Sequence, residues 1–224
     1  MDATAVIIGA SGGVGAALVR ALEAERGARA VLALGRPALE LTDEARIVAV
    51  AERLSGLRID LVIDATGFLH DEAVMPERSW RELDPVHMAK AFALNAIGPA
   101  LVMKHILPLL PRGERSVFAT LSARVGSIGD NRLGGWHSYR ASKAALNQLV
   151  RTCAIELALK RPQAICVALH PGTVATRLSA PFSKSGLDVR PPDEAAGDIL
   201  RVLNALTPAD TGGFFDHRGA PVPF

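Results

Sequence analysis

Short apolar runs alternate along the chain with longer segments in which apolar residues recur every three or four positions. Ala5-Val6-Ile7-Ile8 is a continuous apolar run ending at Gly9 and predicts a strand. From Val14 to Glu25, Leu18, Ala21 and Leu22 fall on one face of a helix. Ala30–Leu34 predicts a second strand, and Leu39-Glu40-Leu41 a short third one. Thr42 stands at the cap position of a helix of about a dozen residues, with Asp43 and Glu44 in its first turn and Ala45, Val48, Ala49 and Glu52 at helical spacing. Leu61-Val62-Ile63 is almost wholly apolar, as a strand covered on both faces must be. A long helical region spans about Asp84 to Leu110. Ser116–Leu121 and Ala164–Leu169 read as strands on either side of one long helix, Tyr139–Lys160, and Phe214-Phe215 as a last edge strand.

Strands alternating with helices predict an α/β chain with a doubly wound parallel sheet and helices on both faces. Its ligand is expected at the carboxyl ends of the strands, near the switch point. With 224 residues and no linker or repeat, residues 1–224 form one domain. Apolar residues make up 49%, enough for a core, which excludes a disordered chain. Lys plus Arg is 25 and Asp plus Glu 23, so charge gives no reason to expect nucleic acid or a membrane as partner. The charge-free stretch Ala3–Val19 carries four glycines, follows Asp2 and lacks a basic leader, so it reads as strand and turn rather than signal peptide, with the cytoplasm as the expected compartment. Cys153 and Cys166 sit in apolar stretches and read as plain buried thiols. The histidines at 70, 87, 105, 137, 170 and 217 have no ligand spacing, and no metal site is expected.

Gly9-Ala10-Ser11-Gly12-Gly13-Val14-Gly15 lies between the first strand and the first helix. Glycines let the backbone approach a ligand closely, and a helix N-terminus offers free N–H groups to a phosphate. The GxxxGxG spacing of Gly9, Gly13 and Gly15 is a variant of the dinucleotide fingerprint. At the end of the second strand, where an acidic residue would bind a ribose 2′-hydroxyl, the chain has Leu34-Gly35-Arg36. An Arg pairs with a 2′-phosphate instead, so NADP(H) is favoured over NAD(H), with Ser11 adding a hydroxyl to the same phosphate. Tyr139, the single tyrosine, and Lys143 are four residues apart and share a helix face. An ammonium beside a phenol favours the phenolate, so the Tyr139 pKa is expected to fall towards neutrality, where it can exchange a proton with a carbonyl oxygen.

The turn Gly9–Gly15, Asp64-Ala65-Thr66-Gly67, Asn95, the Ser122 region, Tyr139-xxx-Lys143 and Pro171-Gly172 together resemble the short-chain dehydrogenase/reductase family, in its order and near its spacings. The stretch from Ser122 to Asn147 is similar to its C-factor/sniffer-like carbonyl reductase branch. The resemblance covers essentially the whole chain. It implies a single Rossmann-type doubly wound sheet of about seven strands, and an oxidoreductase moving a hydride between NADP(H) and a small-molecule carbonyl or secondary alcohol. Tyr139 would be the acid/base, Lys143 the holder of the nicotinamide ribose, Asn95 the support of a water relay, and a serine the hydrogen-bond donor to the substrate oxygen. The cofactor would touch Gly9, Ser11, Gly12, Gly13, Val14, Gly15 and Arg36. It would also touch Glu40 and Leu41, Ala65, Thr66 and Gly67, then Asn95, Tyr139 and Lys143, and finally Pro171, Gly172, Val174 and Thr176 near its carboxamide.

The sequence departs from the family in places. The family serine falls on Ala123, with Gly126 three residues on; either the loop is shifted by one and Ser122 serves, or the carbonyl clamp is lost. The family's Asn-Asn-Ala-Gly is Asp64-Ala65-Thr66-Gly67, which puts a carboxylate where it needs a donor or a positive neighbour. Ile8 stands for the usual Thr, and Glu40 for the adenine-contacting Asp. Trp136 is either a pocket wall or simple packing. Arg177–Pro192, rich in Ser, Pro and Gly, is expected to form a mobile loop over the substrate. With no room for a substrate domain, that loop and the Ile128–His137 insertion would shape a shallow pocket. Leu146, Leu149, Val150, Cys153 and Leu157 stripe the Tyr139 helix, whose counterpart in relatives packs across a two-fold axis; a homodimer or homotetramer is expected. The other reading is a non-catalytic NADP(H)-sensing or signalling protein of the same fold. A nucleotide-dependent methyltransferase has no use for the Tyr–Lys pair.

Overall fold

The computed structural model describes residues 3–182 and 188–224. Six parallel strands form the central sheet in the order β2-β1-β3-β4-β5-β8. They are β1 (Thr4–Ile8), β2 (Val31–Leu34), β3 (Ile59–Asp64), β4 (Ser116–Leu121), β5 (Ala164–His170) and β8 (Phe214–Asp216). The helices are α1 (Gly13–Arg26), α2 (Glu44–Leu54), α3 (Pro85–Phe92), α4 (Gly98–Ile106), α5 (His137–Lys160) and α6 (Pro192–Ala205). Two two-residue strands, β6 (Thr173–Val174) and β7 (Val189–Arg190), pair outside the sheet.

Successive strand residues point to opposite faces, so each strand feeds two cores. Val6, Ile8, Phe118 and Cys166 pack with Ile47 of α2, Val102 and Ile106 of α4, and Leu146 and Val150 of α5. Ala5, Ile7, Val117 and Val167 pack with Leu18 and Leu22 of α1 and Ile199 and Leu203 of α6. Helices on both faces are what make the strands apolar on both sides through most of their length. The chain runs from β1 outward to β2 and then back across to β3, so the switch point lies at the carboxyl ends of β1 and β3.

Two sequence expectations change and one is refined. The sheet has no strand at Leu39–Leu41: those residues form turns, and Leu39 and Leu41 (3% and 7% exposed) plug the core beside α2. The cap of α2 is Asp43, which accepts from the Arg46 N–H at 3.3 Å, while the Thr42 hydroxyl donates to Glu40. The helical region expected from 84 to 110 runs without a gap from Pro85 to Leu109, with a local change of hydrogen-bond ladder inside it. Between α3 and α4 lies one π-helical turn, Ala93–Ile97, with Gly98-Pro99 directly after it. Proline has no N–H to continue the ladder. Gly98 lies so close to Leu41 that a Cβ there would stand 2.6 Å from the Leu41 Cβ. The whole Pro85–Leu109 stretch is long and apolar enough to cross a membrane by length and composition, but Val102, Met103 and Ile106 lock it into the core.

Of the expected substrate loop, Ser183–Leu187 lie outside the described residues; Ala180–Phe182 form a short 3-10 turn before them. The α5 stripe faces inward: Leu146, Val150 and Leu157 are buried, and Leu149 and Cys153 pack against the same core. Both cysteines are free thiols, Cys166 buried and Cys153 half-buried.

Candidate active site

Gly9 leaves β1 at φ +80°, and the N–H groups of Gly9 and Ala10 both donate to the Leu34 carbonyl, at 2.9 and 3.0 Å. This ties the turn to the end of β2. A Cβ on Gly9 would stand 3.0 Å from the Ala65 carbonyl, and one on Gly15 only 2.2 Å from the Gly9 oxygen. A side chain at Gly15 would push α1 off the strand end, and one at Gly9 would push against the segment after β3. The N-cap of α1 is Gly12, and among the described residues no side chain caps the helix. The turn is therefore a backbone cradle whose first N–H groups are left for an anion, which is what a dinucleotide pyrophosphate needs. Gly13 is covered by Thr176: a Cβ there would meet the Thr176 Cγ2 at 2.7 Å. Ser11 and Gly35 are neighbours, with the Ser11 Oγ 3.6 Å from a Cβ built on Gly35. Arg36 follows, exposed, with no ion pair among the described residues. Glu40 is half-buried with Thr42 as partner, and Leu41 packs against Gly98.

At the ends of β3 and β4 lies a buried cation. Lys143 is 2% exposed, and its Nζ donates to the Leu121 carbonyl at 2.8 Å. Burial pulls its pKa down to about 8, against the opposing pull of Asp64. Asp64, fully buried, is satisfied by the Thr66 N–H (3.1 Å), the Thr66 hydroxyl (2.6 Å) and the Thr120 hydroxyl (3.1 Å). The carboxylate that the family lacks thus has both its donors and its positive neighbour. Gly67 and Gly126 make room for Lys143: their Cβ positions lie 3.9 Å from its Nζ and 2.8 Å from its Cβ.

Asn95 sits in the π-helical turn, fully buried. Its Oδ1 accepts from the Phe68 N–H and its Nδ2 donates to the Phe68 carbonyl, both at 2.7 Å; Nδ2 also donates to the Ser142 Oγ at 3.0 Å. Single π turns re-aim side chains at functional sites; this one points the amide at the segment after β3. Both amide hydrogens are used, which leaves only Oδ1 capacity for a solvent link.

Tyr139 is 9% exposed, one turn from Lys143 on α5. Burial pushes its phenol up to about 12, which reverses the expected lowering. The sequence shows a cation four residues away; the structure shows that cation turned onto Leu121 with Asp64 nearby, so desolvation decides. The Trp136 ring lies edge-on to Tyr139, centroids 6.2 Å apart, and Phe182 lies 4.9 Å from Trp136 and 5.5 Å from His70. Trp136 is thus a wall beside Tyr139.

Ser122 turns away from this cleft. It is 4% exposed and its hydroxyl donates to the Asn147 Oδ1 at 2.6 Å, eight residues beyond Tyr139, or about 12 Å along α5. Ala123, half-buried, offers only a methyl group. The segment after β5 is held by a residue invisible in sequence. Arg190, 7% exposed, donates from Nη2 to the Pro171 carbonyl at 3.1 Å, pairs with Asp198, and accepts the Ala175 N–H on its own carbonyl at 2.9 Å. Gly172 (φ +80°), Val174 and Thr176 follow in that frame. Asn147, Ser142 and Arg190 carried no motif signal, because each acts across a long stretch of chain.

A family model described as enoyl-(acyl carrier protein) reductase matches residues 3–196. The C-signal protein of Myxococcus xanthus is 39% identical over 144 residues, covering 64% of this chain and 82% of that protein. A 1-hydroxy-2-glutathionyl-2-methyl-3-butene dehydrogenase of Rhodococcus sp. is 33% identical over 183 residues, covering 81% of this chain and 76% of that one. Among solved structures, an NADPH-bound carbonyl reductase from chicken fatty liver superimposes with a TM-score of 0.83 at 27% identity, covering 99% of this chain and 98% of that chain.

Because Tyr139 is the only tyrosine, tyrosinate absorbance reports it alone. Without cofactor its titration midpoint should lie near 12; a midpoint at or below 10 would contradict the burial described above.

Proposed function

The chain belongs to the short-chain dehydrogenase/reductase family of NAD(P)-dependent oxidoreductases, and on that footing we propose that it uses NADP(H) to interconvert a small carbonyl compound and its alcohol, with Tyr139 as acid/base. The observation that carries this is the Tyr139–Lys143 pair, buried on one face of α5 at the carboxyl ends of β3 and β4. The nicotinamide, when bound, supplies or takes the hydride. A phenol that stays protonated at neutral pH is in the form that reduction uses: its hydroxyl hydrogen-bonds the substrate oxygen and gives up its proton there. Lys143 holds the ribose hydroxyls and places a positive charge behind the phenol as negative charge develops. Asn95 fixes the Phe68 segment and Ser142 around that pair.

Ser122, by this reading, serves catalysis only through α5, via Asn147, and Tyr139 is the donor to the carbonyl. The glycine turn receives the pyrophosphate. Ser11 and Arg36 receive the 2′-phosphate, since two neutral or basic donors stand where a 2′-hydroxyl binder would need an acid. Trp136, with Phe182 and His70 packed beyond it, would face the substrate beside Tyr139. Ile155 and Leu159, 55% and 83% exposed on α5, support a homodimer or homotetramer. Free thiols agree with the cytoplasm as compartment.

NADPH oxidation over a panel of aldehydes and ketones tests the reaction. Tyr139→Phe should lower turnover by about 10²–10⁴-fold while NADPH binding persists; undiminished turnover would end the mechanism. Arg36→Ala should weaken NADPH about tenfold and leave NADH nearly unchanged; equal losses would refute the 2′-phosphate role.

A further inference from the structure

The helix that carries Tyr139 begins without a cap of its own. Trp136 occupies the N-cap in the left-handed region, φ 51° and ψ 44°, and its side chain makes no capping hydrogen bond. A Ser, Thr, Asp or Asn would ordinarily satisfy the free N–H groups there. Here the partner comes from far along the chain. The Ser138 N–H donates to both oxygens of the Glu77 carboxylate, at 3.3 and 3.2 Å, across a separation of 61 residues. The Ser138 hydroxyl donates to Glu77 Oε1, and the Trp136 N–H to the Glu77 main-chain carbonyl at 2.5 Å. Glu77 is 2% exposed. Burial pushes its carboxyl up, but the Ser138 donors and His87 more than offset this and hold it below its ordinary value.

The surrounding backbone is bent to fit. Gly134, Gly135 and Trp136 all have positive φ (64°, 66° and 51°), three left-handed residues in succession. A Cβ on Gly135 would stand 3.5 Å from the Glu77 carbonyl. A tryptophan in this region persists only where its neighbours over-determine it, and Glu77 is the neighbour that bonds it.

Contacts continue from Glu77 and return to α5. His87 on α3, 4% exposed, has its Nδ1 3.4 Å from Glu77 Oε1. Its ring lies edge-on to Phe68, 6.3 Å between centroids. The Phe68 main chain holds Asn95 at both ends of its amide, and Asn95 bonds Ser142, whose hydroxyl donates to the Tyr139 carbonyl at 2.9 Å. One end of this ring of contacts is the residue before Tyr139 and the other is the residue before Lys143.

We propose that Glu77 is a positioning residue for the reaction: a cap delivered from outside the helix that, with His87, fixes where the first turn of α5 holds the Tyr139 phenol against Lys143 and Asn95. This rests on the reading of Tyr139 as acid/base. A carboxylate suits the place because the N-terminal end of a long helix favours negative charge, and two oxygens can serve an N–H and an O–H together. Displacement of a reacting group by about 1 Å can cost about 10²-fold in rate, so a loosened first turn is read in turnover rather than in binding.

The test compares Glu77→Ala with Glu77→Gln, which keeps the acceptor oxygen and the length. Three quantities are measured: backbone hydrogen exchange along α5, NADPH affinity by fluorescence, and kcat and KM with NADPH and 4-nitrobenzaldehyde as probe. Glu77→Ala should raise exchange about tenfold at residues 137–142 and leave residues 150–157 unchanged. It should also lower kcat about 10²-fold, with KM and NADPH affinity within about twofold. Glu77→Gln should restore first-turn exchange and most of kcat. Wild-type exchange and kcat in Glu77→Ala would overturn the proposal; so would equal losses in Ala and Gln variants spread over kcat, KM, affinity and the whole helix. Should Glu77→Ala fail to fold, Ser138→Ala removes one bond from the other side, and the same pattern, weaker, is expected. Wild-type protein that oxidises no NADPH would sink the activity reading, and the exchange pattern would then decide alone whether Glu77 caps the helix.

Discussion

One buried ammonium sets the terms for the carboxyl end of the sheet. Removing a charge from water costs several kcal/mol even after relaxation, so it survives only with good partners. Lys143 has the Leu121 carbonyl at 2.8 Å and the field of Asp64. Asp64 in turn needs Thr66 and Thr120, each charge-assisted bond contributing about 1.5–3 kcal/mol. These demands place the ends of β3 and β4, the start of the 65–67 segment and the first turns of α5 in one arrangement. Gly126 is small because Lys143 passes it. The chemistry follows from the same constraint: with its cation partly neutralised, the neighbouring phenol feels burial most and keeps its proton.

The dinucleotide end of the site answers to a different constraint, backbone proximity. At Gly9 and Gly15 the strand end and helix start touch directly, which leaves the N-terminus of α1 open to an anion. Thr176 closes over Gly13 from the other side, held in a frame that Arg190 builds between Pro171 and α6. The two halves meet through Asn95, whose π-helical turn ties the segment after β3 to α5. Rigid elements thus carry both the proposed cofactor cradle and the proposed acid/base, and the Trp136 and Phe182 rings pack beside Tyr139.

Most of this was legible where a residue's role is decided by its near neighbours. β1, β3, β4 and β5 are mostly apolar because helices cover both faces. Tyr139 and Lys143 declare themselves by spacing, and the glycines by the turn they permit. Most of the failures share one cause, distance along the chain. Leu39–Leu41 alternates like a strand, but the demand of α2 and Gly98 for two leucines turns it into core. Gly98 at the start of α4 has to be small because Leu41, far upstream, packs onto it. Ser122 looks like a displaced catalytic serine until Asn147 claims its hydroxyl. Glu77 and Arg190 sit in unremarkable polar segments, and only burial exposes them. The Tyr139 shift went the other way because sequence shows the nearest charge and not the solvent it has lost.

Asp64 keeps Lys143 charged in its buried site, and the pH dependence of NADPH binding in Asp64→Asn reads that role out. Lys143 is protonated below its pKa of about 8, so wild-type affinity should fall as pH rises through that value. Without Asp64 the ammonium loses its opposing pull, and the fall should begin at lower pH. An Asp64→Asn protein that folds and binds NADPH with the wild-type pH profile would contradict the account.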